Sequence, residues 1–304
     1  MFSRINLFIL TVAFIISCSH QNKIPDYAYK IGKGDYQGAL TDVEPLAQEG
    51  DPYAQYTLGV MFAKGHGVPH DYKKALKWYR LAAEQGLAPA QFVLGDMYFF
   101  AQGVQKNLTT ANQYYLKAAE KDYAPAQYTL YNIYAEGLGT EKNHEAALKW
   151  LTVAAKNNYT AAQNDLAGLY IKGMGVQRNY STAYEWYRRA AEKGLSAAQT
   201  NLGVVYKNGL GVKKDYNKAV NWFRKAAEQN DYGGQNNLGL MYMEGKGVPK
   251  NDVLACMWFI LAADNNNPVP KQYLDNIKKK MSPAQIKNAE TLAKKWKAKI
   301  LKDE

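Results

Sequence analysis

His66 and His70 stand four residues apart beside Asp71, residue types and a spacing that could hold a divalent metal if both imidazoles shared one helical face. Gly67 and Pro69 lie between them, so the pair falls in a loop, and no third ligand stands nearby. Gly65 and Gly67 have the spacing of a phosphate-cradling turn, but such turns follow a strand and this pair closes a helical pattern. No serine has a lysine three positions later, which removes one arrangement of nucleophile and base. His144 takes the place that Tyr72, Tyr180 and Tyr216 hold in equivalent segments, so it is read as a packing residue. Cys256 reads as a small buried hydrophobe. No catalytic residue, cofactor or metal site is therefore expected.

The elements that would position any site follow from a strict repeat. Gln55, Gln91, Gln127, Gln163, Gln199 and Gln235 are each 36 residues apart. A leucine follows each glutamine by three residues, and an aromatic, Phe62 or one of Tyr98, Tyr134, Tyr170, Tyr206 and Tyr242, follows it by seven. Those offsets share one helical face and define a first helix per repeat. Ala75 and its equivalents precede the column Trp78, Tyr114, Trp150, Trp186, Trp222 and Trp258 by three residues, which defines a second helix. The aromatic column reads as core packing.

Between the two helices the second glycine of Gly65-His66-Gly67 recurs as Gly103, Gly139, Gly175, Gly211 and Gly247, and is read as ending the first helix. Gly59, Gly95, Gly203 and Gly239 leave room for close helix approach. Tyr131 replaces that small residue, and must either widen the local spacing or project into a groove. One helix pair cannot bury its own face, so stacked neighbours must complete the core. The expected division is a shortened first repeat at 27–53, six repeats over 54–269, and two basic capping helices within 270–304, with Ser282 as an N-cap before Pro283.

The net charge is +11, of which 271–304 carries +6 through ten lysines. A lysine-rich cap either stays solvated or touches anionic lipid or an acidic partner. Hydrophobic residues at 47% and 24 tyrosines exclude a disordered chain. At the N-terminus Arg4 precedes an apolar run from Leu7 to Ile16, too short to span a bilayer, and Ser17 stands before Cys18. Ile15-Ile16-Ser17-Cys18 resembles a bacterial lipoprotein signal; the resemblance implies cleavage of 1–17, lipidation of Cys18, a linker over 18–26 and, from Ser19, sorting to the outer membrane. The alternative is a plain cleaved signal. Export argues against nucleic acid as a partner.

Segments such as Ala198-Gln199-Thr200-Asn201-Leu202-Gly203 and Tyr216-Asn217-Lys218-Ala219-Val220-Asn221-Trp222-Phe223 resemble the Sel1-like repeats, relatives of the tetratricopeptide repeats. The resemblance implies an all-α fold, a right-handed α-solenoid of antiparallel helix pairs. It also implies a non-catalytic scaffold for a protein or peptide partner at the cell envelope. Some cysteine-rich relatives are associated with penicillin binding, which makes a cell-wall-directed hydrolase or penicillin-binding activity the alternative; the cysteine pairs of that subset are absent here.

By the same resemblance, positions one, five, eight and nine after each glutamine face a concave groove. The candidate protein-binding residues are Tyr56, Val60, Phe92, Asp96, Phe99, Phe100, Tyr128, Tyr131, Asn132 and Asn164. Aromatics dominate the first three full repeats, the composition of interface anchors. Packing of Phe92, Phe99 and Tyr128 against adjacent helices is the competing reading.

Overall fold

A computed structural model describes residues 25–263 and 268–303. Every regular element among them is an α-helix. Two compact units divide after Asn157. The first holds α1 (Asp26–Gly32), α2 (Tyr36–Gln48), α3 (Pro52–Lys64), α4 (Tyr72–Glu84), α5 (Ala88–Phe100), α6 (Leu108–Ala119), α7 (Ala124–Glu136) and α8 (His144–Lys156). The second holds α9 (Thr160–Lys172), α10 (Tyr180–Glu192), α11 (Ser196–Asn208), α12 (Tyr216–Ala227), α13 (Tyr232–Glu244), α14 (Asp252–Ala263), α15 (Pro268–Lys278) and α16 (Pro283–Asp303). Within each unit each helix packs on the next, except that α15 and α16 both pack on α14, and no described helix is long and apolar enough to cross a membrane.

The repeat explains each boundary. Asp35, Asp71, Asn107, Asn143, Asn179 and Asp215, again 36 residues apart, cap the second helix of each pair by accepting a backbone N–H two or three residues on. The first helix of each pair ends on a left-handed residue: Gly65, Gly137, Gly173, Gly209 or Gly245, and Ala101 in the second full repeat. It is thus the first loop glycine, not the second, that closes the helix. The second, at Gly67, has its own positive φ and leaves no room for a β-carbon against the backbone of Tyr36 at the start of α2. Gly103, Gly139, Gly211 and Gly247 dock their loops in the same way on the start of the preceding repeat's second helix, at Tyr72, Leu108, Tyr180 and Tyr216.

The core differs by one residue from the expected aromatic column. Trp78, Tyr114, Trp150, Trp186 and Trp222 are only half-buried, and Trp258, against the C-terminal cap, is the buried member. The residue that follows each is the one enclosed: Tyr79, Tyr115, Leu151, Tyr187, Phe223 and Phe259. Cations cover the half-buried rings, Arg189 4.8 Å from the Trp186 centroid and Lys225 4.3 Å from that of Trp222.

Gly95 explains the enclosed column: a β-carbon there would meet the ring of Tyr115 at 2.5 Å. Tyr131 replaces that glycine in the third full repeat, and the enclosed position twenty residues on is Leu151 rather than a ring. The larger residue in the glycine place is thus met by a smaller one in the ring place, and Tyr131 itself stays half-buried.

At the C-terminus Ser282 Oγ accepts from Gln285 N at 3.3 Å while Gln285 Oε1 accepts from Ser282 N at 2.8 Å. This reciprocal capping box starts α16. Ala289 and Ala293 bury one face of that helix, and Lys287, Lys294, Lys295 and Lys297 remain exposed. Cys256 is fully buried and a free thiol, its pKa pushed up first by burial.

Candidate interaction face

The residue types that suggested metal chemistry are occupied elsewhere. His66 stacks on Tyr36 with ring centroids 4.2 Å apart, and His70 meets the edge of Tyr72 at 4.4 Å. No group of three metal-binding side chains forms among the described residues. His144 is exposed at the first turn of α8, so it does not fill the packing place expected of it. Cys18 and residues 1–17 lie outside the described residues.

The first helix of each pair carries the candidate face, and its members divide by burial. Tyr56 and Val60 are enclosed, at 8% and 4% exposure, so both belong to the core rather than to an open surface. Positions one and five after the glutamine flank the buried stripe, and in the first full repeat the neighbouring hairpin closes over them. Tyr56 lies against Tyr79, with centroids 5.7 Å apart. Phe92 is half-buried between Tyr115 and Tyr123, at 5.5 and 5.4 Å, so it packs against adjacent elements as the competing reading held.

Asp96 accepts a hydrogen bond at Oδ1 from the Tyr115 hydroxyl at 2.8 Å. Burial, followed by the Asp96 charge and this hydrogen bond, holds the Tyr115 phenol far above its ordinary pKa. Tyr56 is raised in the same way, by burial first and then by Tyr123 and Asp96. The two phenols therefore stay neutral, and that of Tyr115 donates to the carboxylate. Phe99 and Phe100 form a separate edge-to-face pair at 4.9 Å, in which Phe99 is half-buried and Phe100 is 63% exposed.

In the third full repeat Tyr128 and Tyr131 are half-buried with centroids 5.7 Å apart, and Asn132 Nδ2 donates to the Tyr128 carbonyl at 3.2 Å. Asn164, in the second unit, donates to Asp165 Oδ1 at 3.1 Å and accepts from Asn201 at 2.9 Å. The face is aromatic in the first unit and amide-rich at equivalent places in the second, Asn164, Thr200 and Asn236 standing where Tyr56, Phe92 and Tyr128 stand earlier.

The glutamine that marks each repeat has a role that spacing alone does not disclose. Gln55, Gln91, Gln127 and Gln199 donate from Nε2 to the carbonyls of Ala47, Ala83, Ala119 and Ala191, each eight residues earlier, at 3.0–3.2 Å. Those carbonyls belong to the last turn of the preceding helix, where the glutamine amide joins the backbone N–H of Gly50, Gly86, Asp122 or Gly194 as a second donor. The glutamine is a buried clasp between hairpins.

Repeated helical hairpins, aromatic at these helix positions in the first unit and amide-rich at the equivalent ones in the second, define an α-solenoid of the protein-interaction class. Sel1 repeats match at residues 52–87, 88–123, 124–159, 160–195, 196–231 and 233–267, well over half of the chain, and the protein belongs to the Sel1 repeat family. A crystal structure of a Sel1 repeat protein from Oxalobacter formigenes is similar at 32% identity and a TM-score of 0.66, covering 78% of this chain and 94% of that one. The crystal structure of c5321, a protective antigen present in uropathogenic Escherichia coli strains and displaying an SLR fold, is similar at 30% identity and a TM-score of 0.57, covering 89% of this chain and 68% of that one. Comparison with curated proteins finds no match.

Proposed function

We propose that this chain is a non-catalytic scaffold that holds a protein or peptide partner along the first helices of its repeats, tethered to the cell envelope through a lipid on Cys18. The observation that carries the binding reading is the aromatic face of the first unit. Phe92, Phe99, Phe100, Tyr128 and Tyr131 sit at places that change chemistry from repeat to repeat while the glutamine, leucine and alanine columns hold constant. A scaffold needs only the constant columns; rings kept half-buried or exposed beside them have area left to bury against another molecule. The envelope reading rests on the apolar run ahead of Ile15-Ile16-Ser17-Cys18.

Site-specific photo-cross-linking in the native cell tests the binding face. A benzophenone amino acid at Phe92, Phe100 or Tyr128 is expected to trap one discrete partner, and the same probe at Lys149 on α8 is expected to trap none. Equal trapping from both sets, or none from the first, would remove the site. Metabolic labelling with an alkynyl fatty acid, lost in Cys18→Ser, tests the tether.

A further inference from the structure

Position eight after the marker glutamine is apolar in five of the six full repeats: Ala63, Phe99, Ala135, Ile171 and Met243. In the fifth it is Lys207, half-buried on α11 in the second unit. Its ammonium donates to Asn237 Oδ1 on α13 at 3.2 Å, a neutral acceptor. Asn237 Nδ2 donates to the Gly233 carbonyl at 2.9 Å, which keeps the amide oxygen turned to the lysine. The carboxylate in its field, Glu244, is held instead by Lys246 at 2.8 Å.

Glu244 and Lys246 offset one another, so one positive charge, that of Lys207, is left over at this place. Burial holds the Lys207 pKa below its ordinary value. Stacking does not require that charge, since the other five repeats stack with an apolar residue there and avoid its desolvation. An ammonium has three donors, of which Asn237 takes one. A cation brought to it would be repelled, and an apolar group would strip its remaining water without replacing the lost hydrogen bonds. A phosphate dianion would bring a second negative charge with no cation left to meet it. A carboxylate matches the single surplus charge and forms short, charge-assisted bonds with an ammonium.

We propose that Lys207 receives a carboxylate of the partner, which anchors the bound peptide on the second unit. The assignment rests on the groove reading above. It adds a charge requirement that the groove reading does not contain: the partner is acidic where it meets the fifth full repeat.

The full chain is titrated by two-dimensional NMR with N-acetyl-glutamate methylamide, its neutral isostere N-acetyl-glutamine methylamide, N-acetyl-alanine, whose only charge is a terminal carboxylate, and inorganic phosphate. Glutamate is expected to bind about tenfold more tightly than glutamine, the size of one charge-assisted hydrogen bond. Lys207→Met installs the residue of the sixth full repeat and is expected to abolish that preference without lowering the melting transition. A lysine kept only for its bond to Asn237 would instead lower the transition and show no preference to abolish. Glu244→Gln removes the competing carboxylate and is expected to tighten glutamate binding. Whichever of glutamate and N-acetyl-alanine binds more tightly identifies the source as a side chain or a chain end. Equal binding of glutamate and glutamine to the native chain overturns the proposal, and phosphate binding more tightly than either carboxylate overturns the assignment to a monoanion. Cross-links at Phe92 and Tyr128 without a glutamate preference remove the Lys207 subsite but keep the groove. A glutamate preference without cross-links removes the groove, and with it the peptide anchor.

Discussion

The side-chain amide of Gln85 donates to Oε1 of Gln55 at 2.9 Å, thirty residues upstream. Gln55 passes the interaction on, donating to the Ala47 carbonyl at 3.2 Å. The same relay recurs where the residue thirty places on is an amide: Asn157 donates to Gln127 at 3.0 Å and Gln229 to Gln199 at 2.8 Å. In the second full repeat that place holds Lys121, and the buried Gln91 Oε1 has no protein partner. Each relay ties three consecutive helices.

Replacing the clasp at Gln127 by leucine keeps the volume, removes its bonds to Ala119, Asp122 and Asn157, and leaves the Ala119 carbonyl with the Asp122 N–H alone. The expected loss is about 1–3 kcal/mol, from two or three lost hydrogen bonds at about 0.5–1.5 kcal/mol each. Urea unfolding followed by circular dichroism measures it. A loss near zero would mean that water replaces the clasp.

Conversely, Lys121→Gln supplies the donor that Gln91 lacks, restoring the pattern of the first, third and fifth full repeats. The expected gain is up to about 1 kcal/mol. Pairing it with Gln91→Leu should erase the gain, since the new amide would then have no acceptor, and the double-mutant cycle isolates the bond.

Ala101 holds a φ of 58°, where the equivalent position in five other repeats is glycine. The left-handed conformation costs an L-residue roughly 1–2 kcal/mol, and glycine's extra freedom in the unfolded chain offsets about 0.4–1 kcal/mol of that. Strain wins by a modest margin. Ala101→Gly is expected to stabilise the chain by about 0.5–1 kcal/mol in the same unfolding measurement, and Gly137→Ala is expected to cost a similar amount.

His66 gives the fold a pH dependence. Burial first, and then the nearby Lys64, lower its pKa below the usual 6.5 in the folded chain. As pH falls past 6.5 the unfolded chain takes a proton before the folded one does, so the unfolded state binds more protons and stability declines. The contribution is complete above that value and disappears as pH drops through the folded pKa. His66→Phe keeps a ring on Tyr36 and cannot titrate. Its thermal midpoint should therefore fall less than that of the native chain between pH 7.5 and pH 5.

How much of this was legible in the sequence depends on whether the partner of a side chain is itself a side chain. Columns of leucine, alanine and aromatics announce a helical face, because burial acts on residue type at every repeat. The glutamine column announced only a constraint, because its acceptor is a backbone carbonyl and carbonyls leave no mark on sequence. The aspartate and asparagine caps stand in plain register at 36-residue spacing, but both residue types also favour turns, so their capping role is fixed only by the helix starts they meet. Burial was misread where a helix face turns by a fraction of a residue: Trp78 and Tyr79 are neighbours, and 100° of rotation separates the half-covered ring from the enclosed one. Tyr56 and Val60 fell on the wrong side of the same margin. The candidate site was legible as a set of helix positions, but the carboxylate and rings that meet on it come from successive helices, and only stacking reveals their meeting.

Gly203 and Phe223 offer a direct test of that stacking. A β-carbon on Gly203 would sit 2.5 Å from the Phe223 ring, which is wholly enclosed and cannot move outward. Gly203→Ala is expected to cost about 1–3 kcal/mol through overpacking. Phe223→Leu alone should cost a comparable amount by leaving a cavity. In the third full repeat Tyr131 stands in the glycine place and the smaller Leu151 in the ring place, the direction expected if the two positions compete for space. The double variant should therefore recover much of what each single variant loses, a coupling of at least about 1 kcal/mol in a double-mutant cycle. Strict additivity would mean that the spacing of helix pairs is set elsewhere, and that the exchange at Tyr131 and Leu151 is coincidence rather than compensation.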